Sequence, residues 1–215
     1  MGTLYGETHR DMQDRHESRR LADLLEAAIV RPALSDDDVE FLASRDCFFL
    51  ATVDGEGRPT VSYKGGDPGF VRVLDAATLI FPLYDGNGMF LSAGNIGAAA
   101  QIGLLFIDFE TPHRLRVQGA ASLVEDLGGE FPGAALLVRV AISHVFVNCG
   151  RYIHRRVRTA RACHVPDAMG QQPVPAWKRI DIVQGSLPAR DQAPARAAGT
   201  ITIDDYDAMR RRGEV

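Results

Sequence analysis

The feature that most restricts the possible fold is a series of short apolar runs that begins at Cys47. The first run ends at Val53, and residues 54–57, with the sequence Asp-Gly-Glu-Gly, separate it from a second run that ends at Tyr63. Further runs occupy residues 70–74, 78–81, 103–109, 114–119, 121–124 and 136–146. Apolar runs of this length, separated by turns rich in glycine and aspartate, are typical of antiparallel strands. The pattern therefore predicts a mainly β fold, a small barrel interrupted by one helix.

Size and charge narrow the class of protein further. A chain of 215 residues, 46% of them apolar, can bury a substantial core without disulfides or metals. The net charge of −4 gives no general attraction to nucleic acid or to an anionic membrane, so we expect neither as a partner. The three cysteines are scattered and no apolar segment resembles a signal peptide, which favours a reduced, cytoplasmic protein.

Helical patterns flank the predicted barrel on its N-terminal side. Residues 1–16 are polar and are expected to be loosely ordered, whereas leucines at helical spacing predict an amphipathic helix from Glu17 to Ile29. Ser35 and Asp38 have the spacing of a capping box at the start of a short second helix. The three aspartates at this point are read as helix-capping groups rather than as a metal site.

The C-terminal segment has a different composition. Five prolines interrupt it after Val157, which predicts an extended arm that lies on the barrel or on a second subunit. A terminal helix is expected from Thr202, as its cap, to Arg212. We therefore divide the chain into a helical extension (1–34), a barrel domain (35–157) and a C-terminal arm with a short terminal helix (158–215).

Residues 80–95 connect two of the apolar runs and contain the best candidate for a ligand site. They read as the end of a buried strand, a polar turn at 85–88 with the sequence Asp-Gly-Asn-Gly, and a helix that reaches Asn95. Glycines allow the backbone to approach a ligand closely, and the unpaired amides of a helix start suit a phosphate. The alternative is an ordinary connection between a strand and a helix.

Several motifs occur in one order between residues 41 and 152. They are FFLATVDGEGRP at 48–59, GFVRVLD at 69–75, GNGMF at 86–90, GNI at 94–96, GLLFIDF at 103–109 and RLRVQG at 114–119. Together they resemble the pyridoxamine 5′-phosphate oxidase-like family of FMN-binding split barrels. The resemblance implies a six-stranded antiparallel split β-barrel, a homodimer, and an FMN cofactor held where the two subunits meet.

The sequence departs from the vitamin-forming oxidases of this family at two motifs. Those oxidases carry an Arg-x-x-x-x-Lys phosphate clamp and a Ser-Arg-Lys stretch, where this chain has Ser-Tyr-Lys-Gly-Gly at 62–66 and Gly-Asn-Gly-Met at 86–89. We therefore expect an FMN-dependent oxidoreductase that acts on an unidentified small molecule, with an electron donor such as NAD(P)H, rather than oxidation of pyridoxamine phosphate. The alternatives are a non-catalytic module that binds or senses flavin or haem, and a deazaflavin-dependent reductase of the same fold.

The resemblance and the local chemistry together nominate ten FMN-binding residues, among which Lys64 is the leading phosphate donor. The alternative interpretation of Lys64 is a solvated lysine at a strand end. Asn95 either bonds the phosphate or caps a helix turn. Arg116 either stabilises negative charge on the reduced flavin ring or forms a surface ion pair. The full set is Ser62, Tyr63, Lys64, Asn87, Gly88, Met89, Ser92, Asn95, Arg114 and Arg116.

No residue is assigned a catalytic acid–base role, and no metal site is expected. His113 is placed in a turn and His144 in an apolar strand, where exposure or core packing explains them. Cysteines and histidines near the end of the barrel lack the paired spacing of a zinc site. Tyr152 and Trp177 either stack on the flavin ring or anchor the C-terminal arm.

Overall fold

The computed structural model describes residues 4–125 and 129–215. The chain divides into two compact units, Met1–Arg161 and Ala162–Val215. The larger unit contains the β-sheet and the helices that precede and interrupt it, whereas the smaller unit is helical.

Among the described residues of the larger unit, seven antiparallel strands form one sheet. In chain order they are β1 (Cys47–Val53), β2 (Pro59–Gly65), β3 (Arg72–Asp75), β4 (Thr78–Tyr84), β5 (Gln101–Asp108), β6 (His113–Val124) and β7 (Ala134–Asn148). Their spatial order is β2-β1-β5-β6-β7-β4-β3. The predicted number of six strands was therefore wrong, because the short strand β3 pairs with β4 at one edge. Among the described residues, no ladder of backbone hydrogen bonds joins β2 to β3, so the sheet is open.

A cluster of aromatic rings holds the two ends of this sheet around one core. The Phe48 ring of β1 lies 4.9 Å from that of Phe81 on β4 and 5.0 Å from that of Phe106 on β5. Because β4 is four strands away from β1 in the sheet order, this contact requires the sheet to curl over itself. All three rings are fully buried. The result is a split-barrel arrangement without a closed ring of hydrogen bonds.

Four helices accompany the sheet: α1 (Glu7–Arg15), α2 (Arg19–Ile29), α3 (Asp36–Ala43) and α4 (Leu91–Ala98). The prediction that residues 1–16 are loosely ordered was wrong for α1. Its Arg10 lies 2.6 Å from Asp23 and 3.5 Å from Glu26 of α2, and Asp14 pairs with Arg19. These charge pairs fix α1 on the polar face of α2, which sequence periodicity alone does not show.

The C-terminal unit is more folded than the extended arm of the prediction. It contains a 3-10 helix (Ala176–Arg179) and the helices α5 (Asp181–Gln184), α6 (Ala189–Ala197) and α7 (Ile203–Arg212). Lys178 is buried with its ammonium group 3.1 Å from the Asp191 carboxylate. The predicted Thr202 cap is confirmed, because its hydroxyl accepts a hydrogen bond from the Asp205 amide.

The start of α3 shows how sequence and structure agree at a cap. The Ser35 hydroxyl accepts from the Asp38 amide, and the Asp38 carboxylate accepts from the Ser35 amide at 2.8 Å, as the capping box predicts. Arg31 adds an ion pair at 2.7 Å. Burial by itself would raise the pKa of Asp38, but the hydrogen bonds from Arg31 and Ser35 outweigh it and lower that pKa.

We expect Asp38→Asn to destabilise the protein at pH 7 by about 2 kcal/mol, since it removes charge-assisted hydrogen bonds. Because the pKa of Asp38 is lower in the folded than in the unfolded protein, its ionised carboxylate adds to the free energy of unfolding. This contribution is complete above the unfolded pKa of about 3.9 and is lost as the pH falls through the folded pKa. Urea unfolding between pH 2 and 7 should therefore show a weaker acid dependence in the variant. Asp37→Asn, which changes an exposed aspartate of the same helix turn, is the control. Equal losses in both variants would contradict the specific role of Asp38.

Candidate functional site

Polar side chains from β2 and α4 meet at one point on the larger unit. The alternation of β2 directs Thr60, Ser62 and Lys64 to the same side of the strand. The Ser62 and Ser92 hydroxyls lie 3.1 Å apart, and the Lys64 ammonium donates to the Ser92 hydroxyl at 3.2 Å. The structure therefore brings together three of the ten predicted ligands, Ser62, Lys64 and Ser92.

The electrostatic state of Lys64 distinguishes it from a solvated surface lysine. Burial lowers the pKa of its ammonium group. In the part of the chain that the structure describes, no carboxylate pairs with Lys64, and the Ser92 hydroxyl is its hydrogen-bond acceptor. A half-buried cation without a counter-ion is costly, and an anion placed beside it would offset that cost.

Asn95 has a role that neither sequence interpretation anticipated. Its side chain is buried, and its amide nitrogen donates to the hydroxyls of Thr52 and Thr60, both at 3.0 Å. Thr52 and Thr60 are direct partners in the β1–β2 hairpin. Asn95 therefore fastens α4 to the hairpin, and the two threonines are site-building residues that the sequence analysis missed. The turn at 54–57 fixes this hairpin register, and it was the signal that could have revealed them.

The glycine-containing turn precedes α4 and is exposed. The side-chain Oδ1 atom of Asn87 accepts from the Met89 backbone amide at 3.0 Å, and the side-chain Nδ2 atom donates to the Met89 sulfur. Gly88 has φ +78°, a conformation in which glycine is favoured. Phe90 is also left-handed, with φ +50°, and α4 begins at the next residue. The predicted ligands Asn87, Gly88 and Met89 thus form the turn that leads to Ser92.

Tyr63 lies on the opposite face of β2 from Lys64. Its ring packs against Phe49 with the centroids 5.9 Å apart. Burial and the hydrogen bond with the Cys47 thiol raise the pKa of Tyr63 to about 12, so this phenol is not an acid–base group near neutral pH. The neighbouring Val61 projects on the same side and is 68% exposed.

The two predicted arginines lie on the same face of the sheet as Tyr63, which we call the outer face. Arg114 and Arg116 alternate with the buried Leu115 and Val117, as their spacing predicted. Strand register places Arg116 opposite Leu105 of β5 and Phe146 of β7. Within the described ranges neither arginine has a carboxylate partner, so no surface ion pair explains Arg116. The five predicted ligands that lie on strands are therefore divided between two faces of the sheet, with Ser62 and Lys64 on one face and Tyr63, Arg114 and Arg116 on the other.

No ligand set for a metal is apparent: residues 4–125 and 129–215 contain no group of three His, Cys, Asp or Glu side chains that could hold an ion. The same residues form no helix with the length and apolar character needed to cross a bilayer. His144 lies on β7 and its Nδ1 atom is 3.1 Å from the Ser143 hydroxyl.

Comparison with known proteins places this architecture in a family. The family model described as pyridoxamine 5′-phosphate oxidase matches residues 34–145, which is more than half of the 215 residues. The chain belongs to the pyridoxamine 5′-phosphate oxidase family. The family resemblance predicted from the motifs is thereby confirmed. A search of curated proteins found no match.

Solved structures with a similar arrangement match about half of this member of the family. A provisional pyridoxamine 5′-phosphate oxidase from Lactobacillus delbrueckii is 27% identical, with 54% of this chain and 95% of that chain covered and a TM-score of 0.43. The haem-storage protein HutZ from Vibrio cholerae is 23% identical, with 54% and 94% covered and a TM-score of 0.40. An F420 reductase is 22% identical, with 49% and 94% covered and a TM-score of 0.39.

We expect Asn95→Ala to lower the stability of the ligand-free protein by about 2 kcal/mol, because two hydrogen bonds of about 1 kcal/mol each are lost. Urea unfolding measures the change. In a double-mutant cycle with Thr60→Val, the two substitutions should show a coupling energy, since each removes one partner of the same bond. Ser122→Ala, an exposed hydroxyl on β6, is the control. Additive effects of Asn95→Ala and Thr60→Val would contradict the fastening role of Asn95.

Proposed function

We propose that this protein binds FMN with the phosphate at Lys64 and acts as a flavin-dependent oxidoreductase on a small molecule. The observation that carries the proposal is the half-buried Lys64 ammonium, which touches the Ser92 hydroxyl and has no carboxylate partner in the described chain. A phosphate dianion is the chemical group that such an arrangement suits.

The donors around Lys64 match the needs of a phosphate. The hydroxyls of Ser62 and Ser92 lie within hydrogen-bond distance of each other and can both rotate their hydrogens towards an anion. Lys64 supplies the positive charge, and bonds from a charged donor contribute about 1.5–3 kcal/mol each. The start of α4 at Leu91 adds backbone amides beside Ser92.

The division of the predicted ligands between two faces of the sheet supports a homodimer. Tyr63, Arg114 and Arg116 project away from Lys64, so a second copy is the simplest source of outer-face groups for a ligand bound at Lys64. The same face exposes Val61 and Tyr63, which are apolar or amphipathic and would be covered in a dimer. In this arrangement, one protomer binds the phosphate and its partner contributes Arg116 near the ring.

The chain's own residues would bind and tune the cofactor. FMN, when bound, supplies the electron-transfer chemistry, and a donor such as NAD(P)H would provide the electrons. Lys64, Ser62 and Ser92 hold the phosphate, and the turn that contains Asn87, Gly88 and Met89 allows close approach of the backbone. Arg116, which has no acidic partner in the described residues, places positive charge where it can stabilise an anionic ring.

Lys64→Met removes the charge while it keeps most of the side-chain volume. We expect it to weaken FMN binding roughly 10- to 100-fold, as the loss of one charge-assisted bond predicts, and to change riboflavin binding less than about threefold. Fluorescence quenching of the two flavins measures both affinities. Arg139→Met, which removes an exposed cation on β7, is the matched control. Equal losses for FMN and riboflavin would move the phosphate site elsewhere.

Val61→Glu tests the proposed assembly without disturbing the core, since Val61 is 68% exposed. The wild-type protein should be a dimer at micromolar concentration. In the Val61→Glu variant, burial of an unpaired carboxylate should raise the dissociation constant of the dimer at least about tenfold. Sedimentation equilibrium reports the change. Leu74→Glu, on the edge strand β3, should leave the dimer intact. A wild-type monomer would contradict the proposal.

A further inference from the structure

Arg114 and Asn148 are paired across neighbouring strands at the end of the sheet. Arg114 on β6 lies opposite Asn148, the last residue of β7. The Nε atom of Arg114 and the Oδ1 atom of Asn148 are both buried, and neither has a hydrogen-bond partner among the residues that the structure describes. A buried donor and a buried acceptor on two register-paired residues are thus left unsatisfied, a condition that proteins avoid unless another group completes the bonds.

Arg151 adds a second positive charge beside Cys149, the residue that follows Asn148 in the chain. Gly150 brings the chain so close to Pro112 that an added Cβ would lie 2.4 Å from the Pro112 carbonyl oxygen. This close approach turns the chain after β7 and sets Arg151 beside Cys149, with its Nε atom 3.4 Å from the sulfur. Hydrogen bonding by Arg151, with a smaller effect of the Arg114 charge, lowers the pKa of Cys149.

The neighbouring arginines are engaged elsewhere, which sets Arg114 and Arg151 apart. Arg155 donates to the Glu110 carbonyl oxygen, Arg158 pairs with Asp46 and Arg161 pairs with Asp67. In residues 4–125 and 129–215, no carboxylate pairs with either Arg114 or Arg151. Arg155, Arg158 and Arg161 are therefore used for internal contacts, whereas Arg114 and Arg151 have no counter-ion among the described residues.

We propose that Arg114, Asn148 and Arg151 form a binding site for a small anion that carries a hydroxyl group next to its negative oxygen, such as a 2-hydroxycarboxylate or hydrogen phosphate. The two guanidinium groups donate to the anionic oxygen atoms, and the Asn148 Oδ1 atom accepts from the hydroxyl. A simple carboxylate lacks the donor that Asn148 needs. The site is separate from the Lys64 cluster.

Cys149 provides a reporter inside the site, and the exposed Cys163 serves as an internal comparator. In the wild-type protein, iodoacetate and iodoacetamide are compared by mass spectrometry at each cysteine. The rate of alkylation by iodoacetate divided by the rate of alkylation by iodoacetamide should be higher at Cys149 than at Cys163. The reason is that Arg114 and Arg151 attract iodoacetate, which is the anionic reagent. Arg151→Ala or Arg114→Ala should lower the Cys149 ratio roughly threefold, the effect of one unit charge on the order of 6 Å away in water. Arg139→Ala should leave it unchanged.

Protection from the neutral reagent then tests the ligand chemistry. At constant ionic strength, glycolate and inorganic phosphate should each slow alkylation of Cys149 by iodoacetamide at least about threefold, with saturation, whereas acetate should not. Cys163 should be unaffected, and Arg114→Ala and Arg151→Ala should abolish protection.

Three outcomes would overturn the proposal. Protection that does not saturate, or that is equal for glycolate and acetate, would show a general charge effect without a site. A Cys149 that resists both reagents would show that the arginines are closed to ligands. Protection that persists in both arginine variants would place the anion elsewhere. Because Arg151 is exposed, its variant keeps the test valid even if Arg114→Ala disturbs the sheet.

Discussion

The contact between Phe48 and Phe81 is the constraint on which the larger unit depends. It joins strands that lie far apart in the sheet order, so it converts an open sheet into a curved one with an interior. Once β1 is held against this interior, the alternate residues of β1 and β2 have defined sides. Thr52 then faces inwards, where the Asn95 side chain donates a hydrogen bond to it. This bond holds α4 against β1. The polar cluster at Lys64 is thus a consequence of aromatic packing.

The alternation of β2 has a second effect, which concerns assembly rather than folding. Ser62 and Lys64 face α4, whereas Val61 and Tyr63 face outwards with Arg116 in the same sheet. One protomer presents these two sets of side chains on opposite sides of the sheet. A ligand site that uses residues of both sets therefore requires two protomers. The strand therefore contributes to cofactor binding and to subunit contact with neighbouring residues, and a change of register by one residue would exchange the two roles.

The elements that the sequence predicted well are those with a local physical signal. The hairpin around residues 54–57, the Ser35 cap of α3 and the Thr202 cap of α7 follow from spacing within a few residues, and the family follows from ordered motifs. The α1 helix was missed because its stability comes from ion pairs with α2, such as that of Arg10 with Asp23. The contacts of Asn95 were not foreseen for a related reason: its hydrogen-bond partners are more than 30 residues away. The pairing of Arg114 with Asn148 likewise needs the register of β6 and β7.

The mutual arrangement of α1 and α2 has a consequence for how the N-terminal region responds to its medium. Their contact is made by Arg10, Asp14 and Arg19 with their acidic or basic partners, while Leu21, Leu24 and Leu25 remain exposed. Salt weakens pairs of exposed charges, and kosmotropic salts such as sulfate also strengthen the association of apolar surfaces. A rising concentration of such a salt should therefore weaken the contact between α1 and α2. It should at the same time favour association through the exposed leucines of α2. Residues 4–30 thus combine a contact that salt weakens with an exposed apolar surface, so limited proteolysis near Glu17 should become faster as ionic strength rises.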